Sequence, residues 1–279
     1  MVALLEFISR NNRFVKVFYS IAPESVMPAK NMKYKAIVSS DWSECLSPSG
    51  PFDFMWYVYP ELETDLRSIF KQYTANAISL GAASQKIQKM LPDPISEEQM
   101  DAYLDDSFLT YKGVPDLIDW CLSKNILFMI NTTGMIGYFQ RVFARGLLPK
   151  VPVLSANPMV RYPRLESDPD FIYDLLEIQD KAKNTGAVVR QFNISAKNII
   201  LMGDSGGDGA HFEWGSETGA YLIGSMTKPS LERYCQSRDI HIALHFGHSY
   251  RENEKKDPHK EMQTDYKSLS HRIAEIVNL

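Results

Sequence analysis

Cysteine is scarce in this chain: Cys45, Cys121 and Cys235 are three among 279 residues, widely separated and without a C-x-x-C spacing. An odd, scattered set supplies neither a disulfide framework nor a zinc knuckle, and it fits a reducing cytoplasm. Long blocks of Lys and Arg are missing as well, and the formal net charge is −4. A nucleic-acid-binding surface is therefore not expected. No window approaches the roughly 18 consecutive apolar residues of a membrane span, and no basic segment followed by a long apolar run opens the chain, so no membrane partner is expected either. Internal repeats and low-complexity tracts are absent. What remains is an ordinary globular composition, 44% hydrophobic, in a chain of a length that suits one large domain or a domain carrying an insertion.

The most informative stretch is Asn198-Ile-Ile-Leu-Met-Gly-Asp-Ser-Gly-Gly-Asp208, in which two carboxylates stand four residues apart after an apolar strand. Gly203 lets the backbone turn at the strand's carboxyl end, and Gly206 and Gly207 keep the loop free of bulk, so Asp204 and Asp208 can converge. Oxygen ligands of this kind suit Mg²⁺, and strand ends in parallel sheets are where such sites are built. A second apolar strand, Lys35-Ala-Ile-Val-Ser-Ser-Asp41, also ends in an aspartate. A third, Ile126 to Ile130, runs into Asn131-Thr-Thr-Gly134, which offers hydroxyls and backbone N–H groups. Lys181-Ala-Lys-Asn-Thr-Gly-Ala187 places lysines at a helix start before the paired aspartates.

In chain order these are aspartate, hydroxyl, lysine and paired aspartates, and over about residues 33 to 225 the chain resembles the haloacid dehalogenase-like (HAD) hydrolase superfamily. The resemblance implies an α/β fold, a Rossmann-like parallel sheet core with an inserted helical cap of the C1 type. It implies Asp41 as a nucleophile that forms an aspartyl-phosphate, with Asp41, Asp204, Asp208 and the Ser43 backbone carbonyl holding Mg²⁺. Thr132, Thr133 and the Gly134 N–H would bind phosphate oxygens. The pyrimidine nucleotidase branch has a similar Lys-x-x-Gly-Ala run before a similar Gly-Asp-Ser-x-Gly-Asp run, which favours Lys183 over Lys181 as the site lysine. The implied partner is a small phosphorylated molecule; the oligomeric state is left open.

The organisation along the chain agrees with that outline. Residues 1–32 read as an N-terminal extension, 33–46 and 112–279 as the HAD-like core, and 47–111 as the helical cap. Helical periodicity runs through Leu62 to Leu80 and Glu97 to Phe108, with Ser96-Glu-Glu-Gln99 as a capping box. Gly113 to Asn125 and Phe139 to Leu147 read as helices, and Phe171 to Phe192 as largely helical. Val151 to Ser155, Tyr221 to Gly224 and Ile240 to Leu244 read as further strands, with a last helix over Ser268 to Val277.

Ser43 departs from the family pattern, because most HAD phosphatases carry a second aspartate two residues after the nucleophile to protonate the leaving group. A serine hydroxyl cannot act as an acid near neutral pH. Three routes stay open: Glu44 or a cap residue supplies the proton, the substrate has a good leaving group, or the chain binds a phospho-ligand with little catalysis. Asp41-Trp-Ser43 and Asn131-Thr-Thr-Gly-Met135 also look like the matching runs of phosphonoacetaldehyde hydrolases, which cleave a C–P bond through a cap lysine imine; Lys86 and Lys89 would be the candidates here. His241, His245 and His248 are better read as polar residues on the wet face of a late strand than as zinc ligands. His211 lies close in sequence to Asp208, and Trp42 is expected to pack under the cap.

Overall fold

The computed structural model describes residues 33–74 and 77–279. The proposed N-terminal extension lies outside the described residues. Residues 33–279 form one compact unit built on seven strands. They are β1 (Ala36–Ser40), β2 (Ile126–Met135), β3 (Val153–Asn157), β4 (Phe171–Asp174), β5 (Ile199–Gly203), β6 (Tyr221–Ser225) and β7 (Leu244–Phe246). Their order across the sheet is β4-β3-β2-β1-β5-β6-β7, and every pairing is parallel. The expected α/β class with a Rossmann-like parallel sheet is therefore found.

Both faces of the central strands are covered, which explains why they read as continuous apolar runs rather than alternating ones. Val38, Phe128, Ile130, Ile200 and Met202 face one core, while Ile37, Leu127, Met129 and Leu201 face the other. All nine side chains are fully buried. Side chains of this size are each worth about 1.5–3 kcal/mol when removed from water, so the sheet centre contributes strongly to holding the fold together.

Helices fill most of the connections between strands: α1 (Asp53–Val58), α2 (Glu63–Thr74), α3 (Leu80–Met90), α4 (Glu97–Ser107) and α5 (Val114–Ser123) lie between β1 and β2. The later helices are α6 (Ile136–Ala144), α7 (Asp180–Gln191), α8 (Gly209–Thr218), α9 (Pro229–Gln236), α10 (Pro258–Glu261) and α11 (Leu269–Ile276). Among the described residues of 47–111 there is no strand, as the periodicity implies. The capping box at α4 is present: Ser96 Oγ accepts the Gln99 N–H and Gln99 Oε1 accepts the Ser96 N–H. Four ion pairs, Arg141 to Glu97 and Asp101 and Arg145 to Asp101 and Asp105, tie α4 to α6.

Two segments differ from the sequence reading. Phe171–Asp174 is a strand rather than part of a helix, because it completes the sheet edge beside β3; the helix begins only at Asp180. The last strand is Leu244–Phe246, so His241 lies before it and His245 within it.

Candidate active site

Strand register assembles the site. Ser40 pairs with Met202 on one side and with Ile130 on the other, so Asp41, just past the end of β1, stands level with Asn131 of β2 and Gly203 of β5, with Asp204 next in line. Asp41 donates its backbone N–H to the Met202 carbonyl at 3.0 Å, which holds the end of β1 against β5. Its Oδ1 accepts the Trp42 N–H at 2.7 Å, fixing the carboxylate's direction. Asp208 returns on a short 3₁₀ turn, where its Oδ2 accepts the Asp204 N–H at 3.0 Å. Glycine is required at 203 for this fold-back, since a Cβ there would lie 2.5 Å from Asp208 Cγ.

Asp41, Asp204 and Asp208 are all buried, and one oxygen of each lies within 4.8 Å of the others. It is the group among the described residues with the spacing to hold a metal ion. Hard carboxylate oxygens are the donor set Mg²⁺ prefers. Asp204 Oδ2 is buried and already draws one cation to it, the Lys228 ammonium at 2.6 Å, as a site for positive charge does. The residues present therefore fit a divalent cation.

Burial pushes the Asp41 carboxyl up to about 6, against the pull of the Lys181 ammonium. Burial pushes Asp204 further, to about 8, with Asp208 and Asp41 adding repulsion against the pull of Lys228. Asp208 goes the other way: burial opposes its charge, but Lys181 outweighs it and holds the carboxyl below its ordinary value.

The lysine in the site is Lys181, not Lys183. Its Nζ lies 2.6 Å from Asp208 Oδ1 and 3.2 Å from Asp41 Oδ2, fully buried between them. Burial opposes its charge, yet the two carboxylates raise its pKa. Lys183 is exposed on the other side of α7 and reaches only Asp180, at 3.8 Å. A helix advances about 100° per residue, so positions two apart point to nearly opposite sides. Asn131 holds the chain that carries Lys181: its Nδ2 donates to the Lys181 carbonyl at 2.9 Å and to Thr185 Oγ1 at 3.0 Å.

Of the three residues expected to bind phosphate, Thr133 lines the cavity above the aspartates. Thr132 is fully buried, and its Oγ1 accepts the Gly134 N–H at 3.2 Å, so that donor is already used. Ser43 also lines the cavity, and its buried hydroxyl has no hydrogen-bond partner. The cavity measures about 670 Å³; Phe70, Tyr73 and Thr74 from α2 enter it from the inserted segment, and Lys228, Arg233 and Tyr234 line its other side.

Glu44 and Lys228 were not visible to the sequence reading as a pair. Lys228 Nζ sits 2.6 Å from Asp204 Oδ2 and 2.5 Å from Glu44 Oε2, and Lys256 Nζ is 2.8 Å from Glu44 Oε1. Burial disfavours the Glu44 charge, but the two ammonium groups outweigh it and lower its pKa. Glu44 is thus held ionised, which argues against it as a proton donor near neutral pH.

The remaining candidates sit apart from the cavity. Lys86 and Lys89 are exposed on α3, and Lys86 donates to Gln72 Oε1 at 3.2 Å. His211 is buried within 3.0 Å of Thr185 Oγ1, its pKa pushed down to about 3 by burial and then by Lys181. His245 Nδ1 meets Thr227 Oγ1 at 3.1 Å and His248 Nε2 meets Glu254 at 2.9 Å, so each has a local polar partner. Trp42 packs edge-on against Phe139 and stacks on Phe108, beneath the inserted helices.

No family model matches the sequence, and no curated protein matches it significantly. Solved structures do match the fold. A phospho-aspartyl intermediate analogue of phosphoserine phosphatase aligns with a TM-score of 0.59 at 14% identity, covering 86% of this chain and 99% of that one. A HAD family hydrolase from Salmonella enterica serovar Typhi aligns at 0.57 and 15% identity, covering 78% and 69%. Cytosolic 5'-nucleotidase IIIB bound to cytidine aligns at 0.53 and 13% identity, covering 88% of each chain. Among the described residues no helix is long and apolar enough to cross a membrane. The parallel sheet and its flanking helices are therefore the fold shared with these HAD-like structures.

Proposed function

We propose that this protein is a divalent-cation-dependent phosphatase that removes phosphate from a small phosphorylated metabolite through an aspartyl-phosphate at Asp41. The observation that carries this reading is the buried Asp41–Lys181–Asp208 cluster at adjacent strand ends, joined by Asp204 and opening on a cavity of metabolite size. Support also comes from the fold, shared with a phosphoserine phosphatase and a nucleotidase that act on small phosphorylated molecules.

A divalent ion such as Mg²⁺, held by Asp41, Asp204 and Asp208, supplies charge neutralisation between nucleophile and phosphoryl group. The chain's own residues do the rest. Asp41, with a carboxyl at about 6, is ionised near neutral pH and attacks phosphorus as the bond to the leaving oxygen breaks. Lys181 places a fixed ammonium beside the nucleophile, so charge developing on the phosphoryl oxygens meets a partner that needs no reorientation. Thr133, at the cavity wall, offers a hydroxyl to the same oxygens. Water then cleaves the acyl-phosphate and restores Asp41.

Ser43 bears on rate rather than on the order of steps. With no carboxyl at that position and Glu44 held ionised, neither residue protonates the leaving group of an unactivated ester, and substrates with good leaving groups are favoured. The same residue supports a second reading, a phospho-ligand-binding protein with little turnover. The C–P hydrolase alternative has less support, because Lys86 and Lys89 do not line the cavity.

The test is a screen of phosphate and phosphonate substrates with and without Mg²⁺, beside Asp41→Asn and with acid-quenched labelling. Mg²⁺-dependent release and a label that Asp41→Asn loses are expected. Tight ligand binding with neither turnover nor label favours the second reading.

A further inference from the structure

With all three carboxylates ionised, as they would be around a bound metal, they and Lys181 leave two unbalanced negative charges at the strand ends, the demand of one divalent cation. Lys228 meets half of that demand from within the chain. Its backbone is pinned: Lys228 is the N-cap of α9, and its N–H donates to the Asp204 carbonyl at 2.7 Å. Its side chain is less confined, 29% exposed against 2% for Lys181, on a flexible four-carbon stem. The ammonium stands 2.6 Å from Asp204 Oδ2 yet makes no well-directed hydrogen bond to it. The better-formed bond goes to Glu44, at 2.5 Å, and Glu44 is itself anchored by Lys256.

We propose that Lys228 is a tethered competitor of the divalent cation: it occupies the Asp204 side of the cation site and moves fully onto Glu44 when the ion arrives. This rests on the cation-site reading given above. Mg²⁺ binds its oxygen ligands at about 2.0–2.1 Å, so an ammonium nitrogen already in contact with the Asp204 carboxylate obstructs its approach sterically as well as by charge. Glu44 makes the exchange cheap, because Lys228 keeps a carboxylate partner throughout. The device sets the cation affinity of the site below what three aspartates alone would give.

Calorimetric titration of Mg²⁺ and Mn²⁺ into the full chain tests this, using Lys228→Met, Lys228→Gln, Lys228→Arg and Asp204→Asn. Both neutral variants should bind the ion more tightly, on the order of tenfold or more, since a repelling unit charge at contact distance is removed. Lys228→Arg, which keeps the charge, should not tighten it, and Asp204→Asn should weaken it. Equal or weaker binding in Lys228→Met and Lys228→Gln, with Asp204→Asn still weakened, overturns the competitor role while leaving the cation site standing. Unchanged binding in Asp204→Asn overturns the site and the competitor together. Thermal melting gives a second readout: the gain in Tm on adding Mn²⁺ should be larger in Lys228→Met than in the parent protein, and an equal or smaller gain counts against the proposal.

Discussion

Lys181 and Lys183 stand two residues apart on α7 and end in opposite environments, one 2.6 Å from Asp208 Oδ1 inside the protein and the other 79% exposed in its side chain. Lys181→Met should therefore destabilise the fold by about 3–5 kcal/mol, because removing one partner of a buried ion pair leaves the others uncompensated. It should also abolish turnover. Lys183→Met should stay within about 0.5 kcal/mol of the parent, as surface substitutions do. Urea unfolding of the two variants decides between them, and the reverse order would move the site lysine to 183.

Ser43→Asp should raise turnover on ordinary phosphomonoesters by ~10²–10⁴-fold, the usual contribution of a positioned acid–base group. Ser43 already lines the cavity, and its hydroxyl gives up no hydrogen bond on replacement. Steady-state assays with an aryl phosphate and an alkyl phosphate check this. The gain should be larger for the alkyl ester, whose leaving group needs the proton more; a gain confined to the aryl ester would contradict the assignment.

The cation-free protein should lose stability as pH rises from about 5 to 8. Unfolded aspartate titrates near 3.9. Burial first, then neighbouring carboxylates, raise Asp204 to about 8 in the folded state, and burial raises Asp41 to about 6. Groups shifted upward hold their proton in the fold, so their contribution is fully present below about pH 4 and is lost through the folded values. Asp208 is shifted downward, and its contribution is lost only as pH falls through the acid range. Added Mg²⁺ should accordingly raise Tm more at pH 8 than at pH 5. Melts in chelator and in Mg²⁺ at the two values measure it, and an equal gain would refute it.

Gly203→Ala should lower Tm and weaken Mg²⁺ binding together. Its added Cβ would stand 2.5 Å from Asp208 Cγ, within a turn where Asp208 Oδ2 is bonded to the Asp204 N–H. Overpacking of this kind costs about 1–3 kcal/mol, and here the atom forced aside is a candidate ligand. Calorimetry showing parental affinity would mean the turn relaxes without moving Asp208.

The aspartates and the sheet were legible because each strand centre is a short apolar run with a chemically distinctive residue at its end. Lys181 was legible too, by a signal left unused: Lys181, Asn184, Thr185 and Val188 share the i, i+3, i+4, i+7 stripe of α7, and all four are buried. That stripe excludes Lys183. Phe171–Asp174 was less legible, since a four-residue strand at a sheet edge is half-exposed and shows too few alternations to separate it from a helix. The Glu44–Lys228 pair had no local signature at all, because its members lie 184 residues apart and meet only when β1 and β6 share a sheet.

Lys256 and Tyr266 reach back to the loop after β1, the first to Glu44 and the second to the Cys45 carbonyl at 2.5 Å, across 212 and 221 residues. On the ribosome, the loop that follows Asp41 is thus made early and gains its last supports late. Contacts of such separation carry a loop-closure cost before they return any stability, so they form slowly relative to the local helices. The nascent chain consequently passes a long interval in which Asp41 has been made and its surroundings have not. The surroundings of Asp41 are therefore completed among the final events of folding.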